Sequence, residues 1–256
     1  MTPASADNMV ISLYDFTGDA VRPWAESGYY CVCFDVQHSE ADIRVEAFQS
    51  GGYIRYENAD LHRPESIDRI RERFAGRVAF MFAFPVCTDL AVSGSKHFKS
   101  KSEADPLFQV KAAEYAAWCG SLGEFLGCPY IVENPVSVLA TMWRKPDYRF
   151  DPCDFGGYLP EDDKHPRWPD SIPARDAYTK KTCLWAGGGF KMPQKIRVDP
   201  VTVTIEKADG TTTTGSPQWA RLGGKSTKTK NIRSATPRGF ALAAFLANAK
   251  DGNERA

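Results

Sequence analysis

The sequence has 256 residues, of which 43% are hydrophobic and 25% are charged, as in an ordinary globular protein. Its 32 basic residues balance 32 acidic residues, so the chain as a whole has no electrostatic attraction to nucleic acid or to an anionic membrane. Its 7 cysteines are odd in number and irregularly spaced, which argues against a disulfide framework. With no signal peptide and no apolar run near the ~18 residues of a spanning helix, we expect a cytoplasmic protein without membrane contact.

The N-terminal part of the chain predicts one nucleotide-binding half of a parallel sheet. After a loose polar tail over residues 1–8, a buried strand over residues 9–14 leads into a turn that contains Gly18. A short helix and a second strand over residues 29–34 follow, and Asp35 comes directly after that strand. In doubly wound sheets, an acid at this point accepts a hydrogen bond from a ribose. Asp35 is therefore a candidate ribose ligand, although a solvated turn residue fits the pattern equally well.

Two candidate catalytic side chains follow buried strands in the middle of the chain. Cys87 comes shortly after an apolar strand over residues 79–84, and Glu133 comes directly after a strand over residues 129–132. Crossover connections place such strands close together in one sheet, so we expect both side chains to reach one cleft. A thiolate and a carboxyl group suit nucleophilic attack paired with proton transfer. The alternatives are a buried core cysteine and a solvated loop carboxylate.

The remaining middle segments have plainer patterns. Residues 53–56 predict a short strand, and residues 64–74 and 105–126 predict helices with an apolar stripe. Residues 91–102 are rich in Ser, Gly and Lys and predict a mobile, locally basic loop beside Cys87. Residues 150–175, rich in Pro, Asp and Gly, predict a long loop.

The C-terminal part predicts a hairpin followed by a basic segment. Strand-like residues 201–206 and 211–214 flank an Asp-Gly turn. Basic side chains then accumulate in a run with few acids, which fits contact with phosphates or, alternatively, a solvated loop: Arg221, Lys225, Lys228, Lys230, Arg233 and Arg238. No metal site is predicted, because the spacing of Cys153, His165 and Cys183 matches no standard zinc site.

Several of these segments, taken in order, resemble the motifs of the cytosine-C5 DNA methyltransferases, and most closely those of short bacteriophage-encoded members. The resemblance rests on the strand and turn over residues 13–19, Asp35, Asp60, Pro85-Val86-Cys87, Glu133-Asn134-Pro135, residues 178–185 and Thr236-Pro237-Arg238-Gly239-Phe240-Ala241. It implies a Rossmann-like methyltransferase fold, a mostly parallel α/β sheet with helices on both faces. Residues 9–190 would form the catalytic core, residues 191–233 a reduced recognition hairpin and basic loop, and residues 234–256 a C-terminal helix that returns to the core.

The resemblance also implies S-adenosyl-L-methionine as the cofactor and DNA as the partner. The residues it assigns to the cofactor are Tyr14, Asp15, Thr17, Gly18, Asp35, Asp60 and Pro85. In the implied reaction, Cys87 adds to C6 of cytosine, Glu133 engages N3 and the exocyclic amine, Asn134 orients Glu133 or the base, and Lys181 holds O2. The residues expected to hold or cover the substrate are Ser93, Lys96, His97, Lys180, Lys225, Lys228, Lys230 and Arg233.

The reduced recognition region predicts a weak or short sequence preference, and no obligatory protein partner is expected. The location would be the host cytoplasm if a phage encodes the protein. Two other functions fit the sequence. One is the same cysteine chemistry on a free pyrimidine nucleotide or on RNA, and the other is a non-catalytic binding protein on a methyltransferase fold.

Overall fold

The computed structural model describes residues 8–206, 209–222 and 226–250, without the side chains of Trp219 and Arg221. Outside the described residues therefore lie most of the predicted tail, Lys225, part of the hairpin turn and the last six residues. In the part that is described, no helix is both long enough and apolar enough to cross a membrane.

An eight-stranded sheet dominates the described structure. Its strands are β1 (Met9–Leu13), β2 (Tyr30–Phe34), β3 (Arg44–Ala47), β4 (Tyr53–Glu57), β5 (Val78–Ala83), β6 (Tyr130–Pro135), β7 (Tyr148–Phe150) and β8 (Thr182–Gly187). They lie in the order β3-β4-β2-β1-β5-β6-β8-β7, and the five central strands are parallel. β3, β7 and β8 pair antiparallel. The predicted mostly parallel α/β sheet is confirmed.

Helices cover both faces of this sheet. They are α1 (Arg22–Glu26), α2 (Pro64–Phe74), α3 (Phe98–Ala104), α4 (Phe108–Leu126), α5 (Leu139–Met142), α6 (Pro217–Arg221), α7 (Thr227–Ser234) and α8 (Arg238–Asn248). α2 and α4 pack on one face and α1 and α8 on the other. All six residues of β5 are buried, because alternate side chains of the strand enter the two cores. This double burial explains its unbroken apolar sequence.

The C-terminal helix α8 packs closely against the segment that follows β7. A Cβ on Gly239 would collide with the main-chain carbonyl of Phe155, so a glycine is needed there. The Gly239 amide also donates a 2.8 Å hydrogen bond to Asp176 Oδ2. The Gly-Phe pair of the Thr-Pro-x-Gly-Phe-Ala element therefore serves packing, and Phe240 itself is buried in the core.

Two segments predicted as loops are partly helical. Residues 91–102 contain a 3₁₀ helix over Val92–His97 and the beginning of α3, so the prediction of a simple loop was wrong. A separate helix then begins at Phe108, three residues later than predicted. The segment after residue 150 contains a 3₁₀ helix over Pro152–Tyr158. Asp151 and Asp154 form a capping box at the beginning of this helix.

Other boundaries differ because of strand pairing. β6 continues through Glu133 and Asn134 to Pro135, since antiparallel pairing with β8 extends the ladder by three residues. The predicted hairpin is present as β9 (Val203–Glu206) and β10 (Thr212–Gly215), a separate two-stranded ribbon. The two edge strands β3 and β7 were not predicted; they are short and largely exposed, so their sequences carry little hydrophobic pattern.

Candidate active site

Cys87 and Glu133 lie at the same edge of the sheet, beyond β5 and within β6. Six of the seven cysteines are buried, whereas Cys87 is half-buried and reaches solvent. Burial raises the pKa of the Cys87 thiol, and the nearby Glu133 carboxylate raises this pKa further, while Lys180 and Arg233 lower it. Burial also raises the pKa of Glu133, and Lys180 opposes that shift. The structure therefore brings together a thiol, a carboxyl group that burial favours in its neutral form, and two cations.

Hydrogen bonds to main-chain carbonyls hold the segments of Cys87 and Glu133 against each other. Asn134 Nδ2 donates a 3.0 Å hydrogen bond to the carbonyl of Pro85. The amides of Leu90 and Ala91 donate to the Cys87 carbonyl at 3.0 and 2.9 Å, so a tight turn follows the cysteine. That turn is also joined to the chain after β6, because the Val138 amide donates to Leu90 O at 3.1 Å. This network fixes the separation of Cys87 and Glu133 before any substrate arrives.

Lys101 fixes the same turn from the other side. Its Nζ contacts Asp89 Oδ1 at 2.5 Å and donates to the Thr88 carbonyl at 3.2 Å. Gln109 Nε2 on α4 also donates to the Asp89 carbonyl, at 3.2 Å. Sequence reasoning did not single out Lys101, because its role depends on where α3 begins.

Two buried acceptors in this site have no hydrogen-bond partner. Glu133 Oε1 and Asn134 Oδ1 are shielded from solvent and accept no hydrogen bond from the residues that the structure describes. Buried polar atoms are nearly always paired, so such exceptions require an explanation. A ligand with N–H donors, such as the exocyclic amine of a cytosine, would satisfy them.

Lys180 rather than Lys181 is the cation next to the catalytic pair. Lys180 is half-buried and its charge acts on both Cys87 and Glu133. Lys181 is exposed, and its charge acts on Cys183. The two lysines precede β8 in the chain, where successive side chains point to opposite sides. The placement thus supports Lys180 in the base-holding role that was predicted for Lys181.

A small cleft lies beside this site, at the carboxyl ends of β1 and β2. Its lining residues are Tyr14, Asp15, Phe16, Thr17, Asp35, Gln37, Phe84, Asn231, Ser234 and Thr236. Tyr14, Asp15, Thr17 and Asp35 were predicted as cofactor ligands. Asp35 Oδ1 accepts a 2.8 Å hydrogen bond from the Gln37 amide, and its Oδ2 accepts none from the described residues. One oxygen of this buried carboxylate thus remains for a ligand hydroxyl group.

Asp15 uses its side chain to build the turn. Its Oδ1 accepts from the amides of Thr17 and Gly18 at 3.0 and 2.7 Å, and its Oδ2 accepts from Ser12 Oγ at 2.8 Å. Burial raises the pKa of Asp15, while the Gly18 and Ser12 hydrogen bonds lower it. Asp15 therefore shapes the cleft, and its carboxylate is already occupied within the protein.

Gly18 allows this turn to form. Its φ is +75°, and a Cβ at this position would lie 2.5 Å from the Tyr56 hydroxyl oxygen. Both the positive φ and the close contact exclude a side chain.

Gly18, Asp60 and Pro85, also predicted as cofactor ligands, do not line the cleft. The carboxylate of Asp60 contacts Arg63 Nε at 3.1 Å and accepts from the His62 amide at 3.1 Å. Pro85 is buried, and the neighbouring Phe84 lines the cleft in its place.

An ion pair between buried Asp19 and exposed Arg167 supports the turn from behind. Asp19 is 3% exposed and pairs with Arg167 from the segment after β7. Arg167 Nη1 also donates a 3.0 Å hydrogen bond to the Thr17 carbonyl. A distant loop thus neutralises the carboxylate of Asp19 beside the cleft.

The predicted DNA-contacting residues fall into two exposed groups. Lys228, Lys230 and Arg233 lie on α7, which Ser226 caps by accepting a 3.2 Å hydrogen bond from the Thr229 amide. The second group, Ser93, Lys96 and His97, lies on the 3₁₀ helix after Cys87. The structure brings Arg233 close enough for its charge to act on Cys87.

Sequence reasoning missed four polar residues of the cleft: Gln37, Asn231, Ser234 and Thr236. Only Thr236 had a signal, since it begins the Thr-Pro-x-Gly-Phe-Ala element. The other three come from two segments that only the fold brings together, the chain after β2 for Gln37 and α7 for Asn231 and Ser234.

The described residues contain no cluster of three or more His, Cys, Asp or Glu side chains that could hold a metal ion. A comparison of the chain with known family models finds no match. A comparison with curated proteins finds no significant match either.

Proposed function

We propose that the chain is an S-adenosylmethionine-dependent methyltransferase that modifies C5 of cytosine in DNA. The observation that carries the proposal is the pairing of Cys87 with Glu133. Cys87 is half-buried whereas the other six cysteines are buried, and the Glu133 carboxyl group beside it has a buried oxygen without a partner among the described residues. A thiol next to a carboxyl group whose pKa is raised by burial suits addition to C6 of a pyrimidine.

The chain's own residues would divide the work as follows. Cys87 would lose its thiol proton to solvent and, as a thiolate, form the bond to C6 while the C5–C6 double bond opens, which makes C5 nucleophilic. Glu133 donates its proton to N3, so that the negative charge entering the ring does not accumulate. Lys180, whose charge acts on both groups, then balances the carboxylate that Glu133 becomes. Asn134 holds the Cys87 segment through its bond to Pro85 and keeps Oδ1 for the base. Once C5 carries the methyl group, loss of the C5 proton to solvent and cleavage of the Cys87–C6 bond would restore the ring double bond and release the thiolate.

The polar groups that line the cleft at the ends of β1 and β2 match the hydrogen-bonding groups of the nucleoside part of S-adenosylmethionine. The bound cofactor would supply an electrophilic methyl group. The free oxygen of Asp35 would accept from a ribose hydroxyl group, as acids at this position do in nucleotide-binding sheets. The turn at Thr17 and Gly18, held by Asp15, offers close approach to the main chain.

DNA fits better than a free nucleotide because of α7. This helix carries Lys228, Lys230 and Arg233 as exposed cations, beside the catalytic site. Phosphate contacts of this kind position a polymer without reading its sequence. The target cytosine must leave the stack, since C5 and C6 of a paired base are covered by its neighbours.

The test is methyl transfer itself. Purified protein is incubated with DNA and S-adenosylmethionine labelled in the methyl group, and the digested nucleosides are separated. We expect label in 5-methylcytosine, none with Cys87→Ala, and an undiminished amount with the control Thr88→Ala, whose exposed side chain lies next to Cys87. If only RNA or only a free nucleotide became labelled, that molecule and not DNA would be the substrate. If none of them became labelled, the proposed methyltransferase activity would be wrong.

A further inference from the structure

The basic helix α7 also forms one wall of the cofactor cleft. Asn231 and Ser234 of this helix line the cleft together with Thr236, opposite Tyr14 and Thr17 of the β1 turn. One hydrogen bond joins the two walls: Asn231 Nδ2 donates to Gln37 Oε1 at 3.1 Å. Gln37 follows the end of β2 by three residues and also lines the cleft.

The cleft is too small for a nucleoside as it stands. Its cavity volume is ≈ 40 Å³. That volume accommodates about three water molecules, at ~10–15 Å³ each by this kind of measure. A cofactor that is enclosed by both walls therefore needs more room than this, and outward movement of one wall would provide it.

Of the two walls, α7 is the one that can move. The opposite wall belongs to β1 and β2, which pair in the middle of the eight-stranded sheet. α7 has eight residues, and Ile232 is the one that is buried, in a small cluster with Ile172, Tyr178 and Ala235. Elements with few buried apolar contacts open at low free-energy cost.

We propose that α7 is the lid of the cofactor cleft and that Gln37 and Asn231 are positioning residues whose hydrogen bond holds the lid closed over the bound cofactor. This inference rests on the proposed function for the nature of the ligand. It gives α7 two roles, because the helix that contacts DNA phosphates would also retain the cofactor.

The test measures how fast S-adenosylhomocysteine, the demethylated form of the proposed cofactor, leaves the protein. Dissociation is followed by stopped-flow displacement for the wild type, Gln37→Ala, Asn231→Ala and the double variant. Loss of one hydrogen bond of ~1 kcal/mol predicts dissociation about fivefold faster in each single variant. The double variant should also be about fivefold faster, not about 25-fold, because both substitutions remove the same bond.

Two controls separate a lid from a general structural role. Thr227→Ala, an exposed change on the same helix, should leave the dissociation rate unchanged. The melting temperature without ligand should be the same in all variants, since an exposed hydrogen bond between side chains adds little to folding.

Unchanged dissociation rates in both single variants would overturn the lid inference, and so would effects that multiply in the double variant. Neither result would contradict the proposed function. A wild-type protein that binds no S-adenosylhomocysteine would overturn both the lid and the proposed cofactor.

Discussion

Glu133 illustrates how one side chain can be costly to the fold and useful to the chemistry. Burial raises its pKa, and its Oε1 has no partner among the described residues. A carboxyl group with a raised pKa keeps a proton that it can give to a bound base. The same environment makes ionisation of Glu133 unfavourable for the folded state.

Replacement of Glu133 by glutamine tests both effects. We expect methyl transfer to fall by at least about 100-fold, because the amide cannot deliver an acidic proton. We also expect the variant to be about 1 kcal/mol more stable than the wild type near pH 7, as is common when a functional group is removed from a strained site. Chemical denaturation with and without the substitution measures this difference.

The direction of the pH dependence follows from the raised pKa. Below the unfolded-state pKa of Glu133 both states are protonated, and the group has no effect on stability. As the pH rises above that value, the unfolded state releases its proton first, so the free energy of unfolding falls until the folded pKa is passed. Glu133→Gln should remove this fall. A variant that is less stable than the wild type at neutral pH would contradict the burial of an unsatisfied carboxyl group.

Lys180 and Lys181 form a matched pair for testing the nucleophile. Removing the positive charge of Lys180 should raise the pKa of Cys87, since that charge lowers it in the wild type. At fixed neutral pH we expect iodoacetamide to alkylate Cys87 of Lys180→Ala about fivefold more slowly, for an interaction of ~1 kcal/mol. Peptide mass spectrometry quantifies the label.

Lys181→Ala is the control for this experiment. Its charge acts on Cys183, which is buried, so the alkylation rate of Cys87 should not change. If Lys181→Ala slowed the reaction and Lys180→Ala did not, Lys181 and not Lys180 would be the cation beside the nucleophile.

At the scale of elements, the turn after β1 depends on a partner far away in the chain. Asp19 has a side chain that is 2% exposed, and its partner Arg167 has one that is 33% exposed. Arg167→Leu would leave the carboxylate of Asp19 buried without a cation. We expect a loss of about 2 kcal/mol in the free energy of unfolding, less than for a fully buried pair because Arg167 is partly in water.

Asp19→Asn supplies the control for this ion pair. Combined with Arg167→Leu, it removes the uncompensated charge and should restore about half of the missing stability. Denaturant unfolding of the two single variants and the double variant gives the coupling directly. Additive losses in the double variant would mean that the pair does not act as a unit.

The elements that are easiest to predict from the sequence are those with strong local patterns. The apolar run of β5 is unbroken because the strand is buried on both faces. Gly18 of the β1 turn is a glycine because its φ is positive. The boundaries of β6 and the position of Lys180 next to Cys87 and Glu133 were not predicted, because both depend on pairing between strands. A shift of one residue in such pairing moves every side chain to the other face.

The candidate site was predictable only in part for a similar reason. Cys87 and Glu133 follow recognisable strands, and Asp35 follows another. The contacts Arg167–Asp19 and Asn231–Gln37 join residues that are far apart in the chain, and nothing in the local sequence marks them as partners. The segment of Lys101 has the composition of a mobile loop, while its order comes from tertiary hydrogen bonds to the turn after Cys87.

For the molecule as a whole, the net charge is balanced, so the proposed DNA binding would have to rely on a local basic surface such as that of α7. We expect binding to weaken as salt increases, because cations on the protein replace counterions on the phosphates. Changing Lys228, Lys230 and Arg233 together to glutamine should reduce the slope of log affinity against log salt by about 3, one for each phosphate that is no longer neutralised. Fluorescence anisotropy with a labelled duplex over a salt series measures this slope.

The same series with sequence variants of the duplex tests the expected weak specificity. A slope that the triple substitution leaves unchanged would place the DNA on another surface of the protein.

Attack of Cys87 on a cytosine in DNA is tested most directly by trapping. The protein is incubated with S-adenosylmethionine and DNA that contains 5-fluorocytosine, and the mixture is separated on a denaturing gel. Fluorine at C5 cannot leave as a proton does, so the covalent intermediate should persist after methyl transfer. We predict a protein–DNA adduct whose mass includes the transferred methyl group, linked through Cys87 and absent in Cys87→Ala. No adduct from a protein that binds both the DNA and S-adenosylmethionine would contradict the proposed attack.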